Sequence, residues 1–178
     1  MEHLGTKEIY TLRLKLRKLK EDDTLAMYSN WANDKDVTRF LTWDYHRNVE
    51  SSKLIINMWL NEYNDNNTYR WGIELKENNE LIGMIDVVHY DENNNPVIGY
   101  VIGKKYWGNG YMSEALKGVV DYLFNSVGFS LIKAEVEKEN IKSQRVLEKN
   151  GFILKGEKKA YLSIKNCYRT LLLYELRK

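Results

Sequence analysis

Two glycines, Gly108 and Gly110, stand one residue apart in the stretch YWGNGYMSEAL, residues 106–116. Behind them runs an apolar segment, VIGYVIG at 97–103. Ahead of them Met112, Ala115, Leu116, Val119, Val120, Leu123 and Phe124 recur at three and four, which predicts an amphipathic helix starting at the glycines. A helix N-terminus leaves about four backbone N–H groups unpaired and carries roughly half a positive charge. Removing the side chains at 108 and 110 lets an anion reach those amides, and phosphate is the usual guest. Lys104 and Lys105 flank the loop and add charge. A P-loop would need Gly-x-x-x-x-Gly-Lys-Ser/Thr, which is absent here. A dinucleotide loop would need a third glycine where Ser113 stands, at the head of a chain of parallel βαβ units.

The elements that position this loop follow from periodicity. Residues 10–19 alternate as a first strand, with Leu12, Leu14 and Leu16 on one face and Arg13, Lys15 and Arg17 on a solvated one. Asp22 or Asp23 caps a helix over 24–33, and Asn48 caps another over 49–63 with Leu54, Ile55, Met58 and Trp59 as its apolar stripe. Strands follow at 68–76, 81–90 and 97–103, the last apolar enough to be buried on both faces. After the glycine loop and its helix come a strand at 129–137 and a short helix capped by Asn140 and closed by Asn150-Gly151. Two strands near 152–158 and 167–176 complete the series. The expected fold is α/β (α+β): a mixed, mostly antiparallel sheet of six to seven strands flanked by about four helices, with one βαβ crossover. Without a linker or repeat, residues 1–178 read as a single domain.

Lys105-Tyr106-Trp107-Gly108-Asn109-Gly110 resembles the Gln/Arg-x-x-Gly-x-Gly/Ala signature of the GNAT acetyltransferases, with Lys105 in the Gln/Arg place. IGYVIGKKYWGNGYMSEAL and NIKSQRVLEKNGFILKGEKKAY resemble the RimJ/RimL-like branch, and LRKLKEDD and VTRFLTW match it loosely. The resemblance implies acetyl-CoA as co-substrate. Its pyrophosphate would be held by the amides of Gly108, Asn109, Gly110, Tyr111 and Met112 beside Lys105. Its pantetheine arm would lie along Tyr100-Val101-Ile102, a strand that splays from its parallel neighbour in this family. Asn140 would contact the cofactor, and Ser143 would hydrogen-bond the departing thiolate.

The implied chemistry is direct attack of a primary amine on the thioester, without a covalent enzyme intermediate. A backbone N–H of Val101 or Ile102 is the expected oxyanion donor. Relatives often carry Glu where Val97 stands, so the base is open; Asp86, His89, Asp91 and Glu92 are the nearby titratable groups. Deprotonating an α-amine at pH 7 costs about 1.2 kcal/mol and a lysine roughly 4.6, so a site without an evident strong base suits an α-amine. The acceptor is expected to be a protein N-terminus, such as that of a ribosomal protein. A small-molecule amine (a polyamine or an antibiotic) and a non-catalytic acyl-CoA-binding module remain open. Trp43 and Tyr45 between the first two helices, Asp86 and Tyr161 are expected to line the acceptor pocket, while Trp31, Trp59 and Trp71 read as core.

Bulk properties exclude other classes. The 178 residues are 43% hydrophobic and 29% charged, with a net charge of +2. That balance offers no basic face for nucleic acid. No run approaches the ~20 apolar residues of a membrane span, and no signal peptide is visible. The single cysteine, Cys167, reads as structural, and a reducing, cytoplasmic home is expected. No metal site is expected. The chain is expected to be a monomer or homodimer, since the apolar TLLLYEL strand can pair within the sheet or across a dimer.

Overall fold

The computed structural model describes residues 2–178. Eight strands form one sheet: β1 (Ile9–Tyr10), β2 (Leu14–Arg17), β3 (Arg70–Leu75), β4 (Leu81–Tyr90), β5 (Pro96–Ile102), β6 (Leu131–Glu137), β7 (Ile153–Leu162) and β8 (Cys167–Arg177). Their order across the sheet is β1-β2-β3-β4-β5-β6-β8-β7. Every neighbouring pair is antiparallel except β5–β6, the one parallel pair, joined by the crossover through α4 (Tyr111–Tyr122). The strand count exceeds the expected six to seven because residues 10–19 break in two. A turn at 11–13 folds β1 back on β2, closed by Thr11 N–H and Oγ1 donating to the Leu14 carbonyl. TLLLYEL pairs inside the sheet, between β6 and β7.

Helices cover both faces. On one, α4 buries Met112, Ala115, Leu116, Val119 and Val120 against Trp71, Ile73, Ile85 and Ile132, as its periodicity requires. The short α5 (Ile141–Lys149) joins that layer through Leu147. On the other face lie α1 (Thr24–Met27, prolonged by a π turn to Ala32), α2 (Lys35–Thr38) and α3 (Val49–Glu62). They pack Met27, Trp31, Val37 and Ile56 on Leu81, Met84 and Val101. Trp31 and Trp71 are fully buried, and Trp59 packs at the edge of the second cluster.

Three local expectations fail for physical reasons. Arg17 is buried, not solvated: it forks onto Asp23 at 2.8 and 2.9 Å and reaches Glu74 at 2.6 Å. Asp23 therefore makes no side-chain cap on α1, since its carboxylate serves Arg17 and the Lys20 N–H. In α3, Asn48 caps Ser51 N–H as expected, but Leu54 and Met58 stay exposed. The buried face is Ser52–Ile56, turned inward where Ser52 Oγ meets His46 Nδ1 at 2.7 Å.

Candidate functional site

The glycine loop owes its shape to two left-handed residues. Gly108 has φ +79° and Gly110, the residue before α4, has φ +78°; side chains rarely adopt this region. A Cβ at Gly108 would meet no atom within 4 Å, so the space above the loop is open. No side chain caps α4, and among the described residues no protein group accepts from the backbone N–H of Gly108, Asn109 or Gly110. The loop carbonyls and side chains are tied down instead. Asn109 Nδ2 donates to the carbonyls of Tyr106 and Trp107, and Arg13 Nη1 donates to the Asn109 carbonyl at 3.0 Å. Arg13 also pairs with Glu114 at 2.7 Å and lies over the Tyr111 ring at 4.4 Å. Burial raises the Glu114 carboxyl, yet donors from Thr11 and Arg13 hold it below the usual range, so it braces the loop as an anion. Trp107 Nε1 donates to the Ile102 carbonyl and fixes the loop to the end of β5. The brace runs through Arg13, which alternation had put on a solvated strand face.

Below the loop the sheet opens. β5 and β6 pair only at Val97–Lys133 and Ile98–Ala134. Beyond Ile98, β5 keeps β4 as its partner, so its other edge faces a cavity of about 800 Å³. Tyr100, Val101 and Ile102 line one wall, Gly108 and Gly110 to Ser113 the top, and Asn140 and Ser143 of the α5 start the far wall. Asn140 Oδ1 accepts from Ser143 N–H at 3.2 Å, which caps α5 and points its first turn at the opening. The Tyr100 hydroxyl bridges the gap, 2.8 Å from Ser143 Oγ and donating to the Ser143 carbonyl at 3.1 Å. Burial pushes the Tyr100 pKa up, so this hydroxyl stays protonated. The family resemblance pointed to Tyr100 for its backbone; its side-chain link to Ser143 has no signal in sequence spacing.

The remaining sequence-derived residues lie elsewhere. Lys105 is exposed, 3.7 Å from Glu80 and over the Tyr106 ring, and does not line the cavity. Asp86, on β4, is held by Arg70 at 3.2 Å; burial lifts its carboxyl to about 6 in spite of that partner. Trp43 packs against the α1–α3 core and the His46 ring, and Tyr45 carries Lys35 over its ring. Tyr161 is half exposed on β7, hydrogen-bonded to Asn166 and tilted against Tyr168. From the segment joining the first helices, Val37, Phe40 and Leu41 line the cavity instead. Val97 is buried at the paired end of β5. Asp91 is committed to a turn: burial opposes its charge, but Lys133 and the Asn95 and Asn93 amides hold it well below the usual carboxylate range. Cys167 is a free thiol at the start of β8.

Unpaired amides above a gap between two parallel strands leave a cavity open to an anion at its top. A family model for the Acetyltransferase (GNAT) domain matches residues 13–153, which span β2 to α5 and with them the glycine loop, β5 and the start of α5. The chain belongs to the GNAT acetyltransferase family. Among its GNAT relatives, the uncharacterized N-acetyltransferase YoaA of Bacillus subtilis is 34% identical over 153 residues, 85% of this chain and 86% of YoaA. A GNAT-family acetyltransferase from Bacillus anthracis superposes with a TM-score of 0.84 at 26% identity, over 96% of this chain and 98% of that one. RimL, the ribosomal L7/L12 alpha-N-protein acetyltransferase solved in complex with coenzyme A, shares the fold at a TM-score of 0.81 and 21% identity, over 96% and 98% of the two chains. The family match and the YoaA likeness make this GNAT chain an N-acetyltransferase, and RimL shares its fold.

Proposed function

We propose that this N-acetyltransferase moves an acetyl group from acetyl-CoA to the α-amine of a peptide N-terminus, such as that of a ribosomal protein. The observation that carries the cofactor half is the set of unpartnered amides at Gly108–Gly110, continued by Tyr111 and Met112 at the helix start, directly above the free edge of β5. The pyrophosphate sits on those amides and the pantetheine arm adds to β5 along Tyr100–Ile102 in place of the missing strand. RimL, a protein of the same fold solved in complex with coenzyme A, supports coenzyme A as the ligand. Bound there, the cofactor supplies an activated thioester carbonyl. The free edge of β5 at Ile102 offers a backbone N–H for the developing oxyanion, whereas Val101 shares the parity of Gly103, whose N–H is spent on the Ile82 carbonyl of β4. Ser143, held by the Tyr100 hydroxyl, donates to the leaving sulfur. The acceptor enters from the opposite side, past Val37, Phe40 and Leu41. RimL, the ribosomal L7/L12 alpha-N-protein acetyltransferase, supports an α-amine acceptor.

The test is thiol release and mass spectrometry with acetyl-CoA and a mixed panel: peptides with free N-termini, the same peptides blocked at the N-terminus but carrying lysine, polyamines and amino-sugar antibiotics. The expected result is acetylation of free N-termini well ahead of lysine side chains. A preference for a small amine, or cofactor binding with no acetyl transfer to any of them, overturns the reading.

A further inference from the structure

The full charges on the cavity wall divide by sign. Asp36 and Glu139 are the acids, and each already faces a cation: Lys104 for Asp36, and Arg39 at 3.6 Å for Glu139. Among the described residues, every cation on that wall comes from α5: Lys142, Arg145 and Lys149. Arg13 and Lys105, which stand beside the glycine loop, do not line it. Spacing of three and four sets the α5 cations on one face of the helix, along about 10 Å of its length. Glu148, the one acid of α5, accepts from the Tyr174 hydroxyl at 3.1 Å instead of meeting them.

Lys142 is occupied, since its Nζ lies 3.9 Å from the centre of the Trp107 ring. Arg145 and Lys149 are exposed, and among the described residues neither reaches a carboxylate, a carbonyl or an aromatic ring. Their end of α5 is tied to the helix that starts at the glycine loop, because Asn150 Nδ2 donates to Ser113 Oγ at 3.0 Å. Lys149 and the turn before it therefore stand on the loop's side of the cavity, nearly two turns from Ser143 and its Tyr100 partner. A lysine in the last turn complements the helix dipole, but that effect does not reach Arg145 a turn earlier.

The loop amides and the α4 dipole offer only about half a positive charge to an anion. Coenzyme A brings more than one anion, since its ribose bears a 3′-phosphate monoester besides the diphosphate. A guanidinium can grip a phosphate through two parallel N–H···O bonds, and a lysine adds a mobile point charge. We infer that Arg145 and Lys149 form a second anion site, which holds the 3′-phosphate of coenzyme A and makes that phosphate a requirement for tight binding. The inference deepens the reading above and rests on coenzyme A as the ligand. The diphosphate goes to the amides of Gly108–Met112 and the monoester to the α5 cations. No bond forms or breaks at this site; it selects which thioester donor is accepted. A donor with the same tail but no 3′-phosphate is held by the loop alone.

The experiment is calorimetric titration of coenzyme A and of 3′-dephospho-coenzyme A into wild type, Arg145→Gln, Lys149→Gln, the double variant and Lys117→Gln, with the Tm of each. Lys117 lies on α4 outside the cavity, paired with Asp121 at 3.1 Å, and controls for net charge. Wild type is expected to bind coenzyme A about 100-fold more tightly than the dephospho form, with about tenfold lost in each single variant. The double variant should bind the two ligands within about threefold of each other, at the affinity wild type shows for the dephospho form, while K117Q keeps the full preference. Equal affinity of wild type for both ligands, a folded double variant that keeps the preference, or a K117Q that loses it overturns this site and leaves the transferase reading standing. So does an equal weakening of both ligands in the double variant, which would put the two cations on the diphosphate. A wild type that binds neither ligand overturns the coenzyme A reading and this site with it.

Discussion

Replacing Gly108 by Ala separates strain from ligand binding. At φ +79° an L-residue pays about 1–2 kcal/mol, and nothing else opposes the new methyl because no atom lies within 4 Å of it. For a chain of this size that predicts a Tm fall of roughly 2–8 °C. The same methyl points into the space a phosphate would occupy over the loop amides. Losing one charge-assisted hydrogen bond there costs about 1.5–3 kcal/mol, a weakening of coenzyme A binding of roughly 10- to 100-fold. Gly151→Ala is the matched control. It has φ +82° and its Cβ would make an ordinary 3.5 Å contact with Leu176, but it lines no part of the cavity. The assay is thermal melting with coenzyme A titrated in, where saturation at 100 times Kd adds about 2.7 kcal/mol of stability. Both variants should melt lower without ligand, and only G108A should lose affinity. If G108A and G151A bind coenzyme A as tightly as the parent, the loop amides do not hold the diphosphate.

Ser143→Ala should lower kcat by about tenfold with little change in Tm, because the α5 cap is Asn140 and not Ser143. Tyr100→Phe should cost about 1 kcal/mol of stability by removing its bonds to Ser143, and should add nothing further to kcat in the S143A background. Additive kcat effects in that cycle would show the two hydroxyls acting separately. Arg17→Ala strands Asp23 and Glu74 in the interior and should cost about 3–5 kcal/mol by denaturant unfolding; a loss under 1 kcal/mol would mean the pairs are solvated in solution. Asp86 has a folded pKa of about 6, raised by burial, so the native state binds the extra proton and this group's contribution to stability falls as pH rises from about 4 to 6. Asp86→Asn should remove that slope, gaining stability relative to wild type between pH 4 and pH 7; an unchanged difference in Tm across that window would refute the shift.

The parts of the fold legible in sequence are those written in local periodicity. The apolar repeat of α4 and the glycines at its start predict both the helix and the cradle, since each depends on residues within a turn or two. The same holds for Asn48 and Asn140 as caps. What sequence hides is set by distant partners. Arg17 looks solvated until Glu74 arrives from β3, 57 residues away, and Arg13 looks idle until Glu114 arrives from α4. Leu54 and Met58 share a stripe with buried residues, but the seat of α3 on the sheet turns Ser52 and Ile56 inward instead. The turn between β1 and β2 carries no glycine or proline and is closed by side chains, so alternation alone runs through it.

The same division runs through the site. The proposed cofactor half would use main-chain nitrogens and a strand edge; the two glycines announce an anion site, and the strand edge is implied by the family resemblance. The cavity wall that the proposed acceptor would pass is built from Val37, Phe40 and Leu41 around the exit of α2, and no local pattern marks it. Trp43 and Tyr45 are near the right segment but turn toward other partners, while Phe40 and Leu41 take the wall. In the proposed reading, contacts with the cofactor's diphosphate would be insensitive to side-chain identity except at the glycines, and those with the acceptor would rest on side chains around the exit of α2. Val37, Phe40 and Leu41 are where substitutions should change which amine is used while leaving coenzyme A affinity alone.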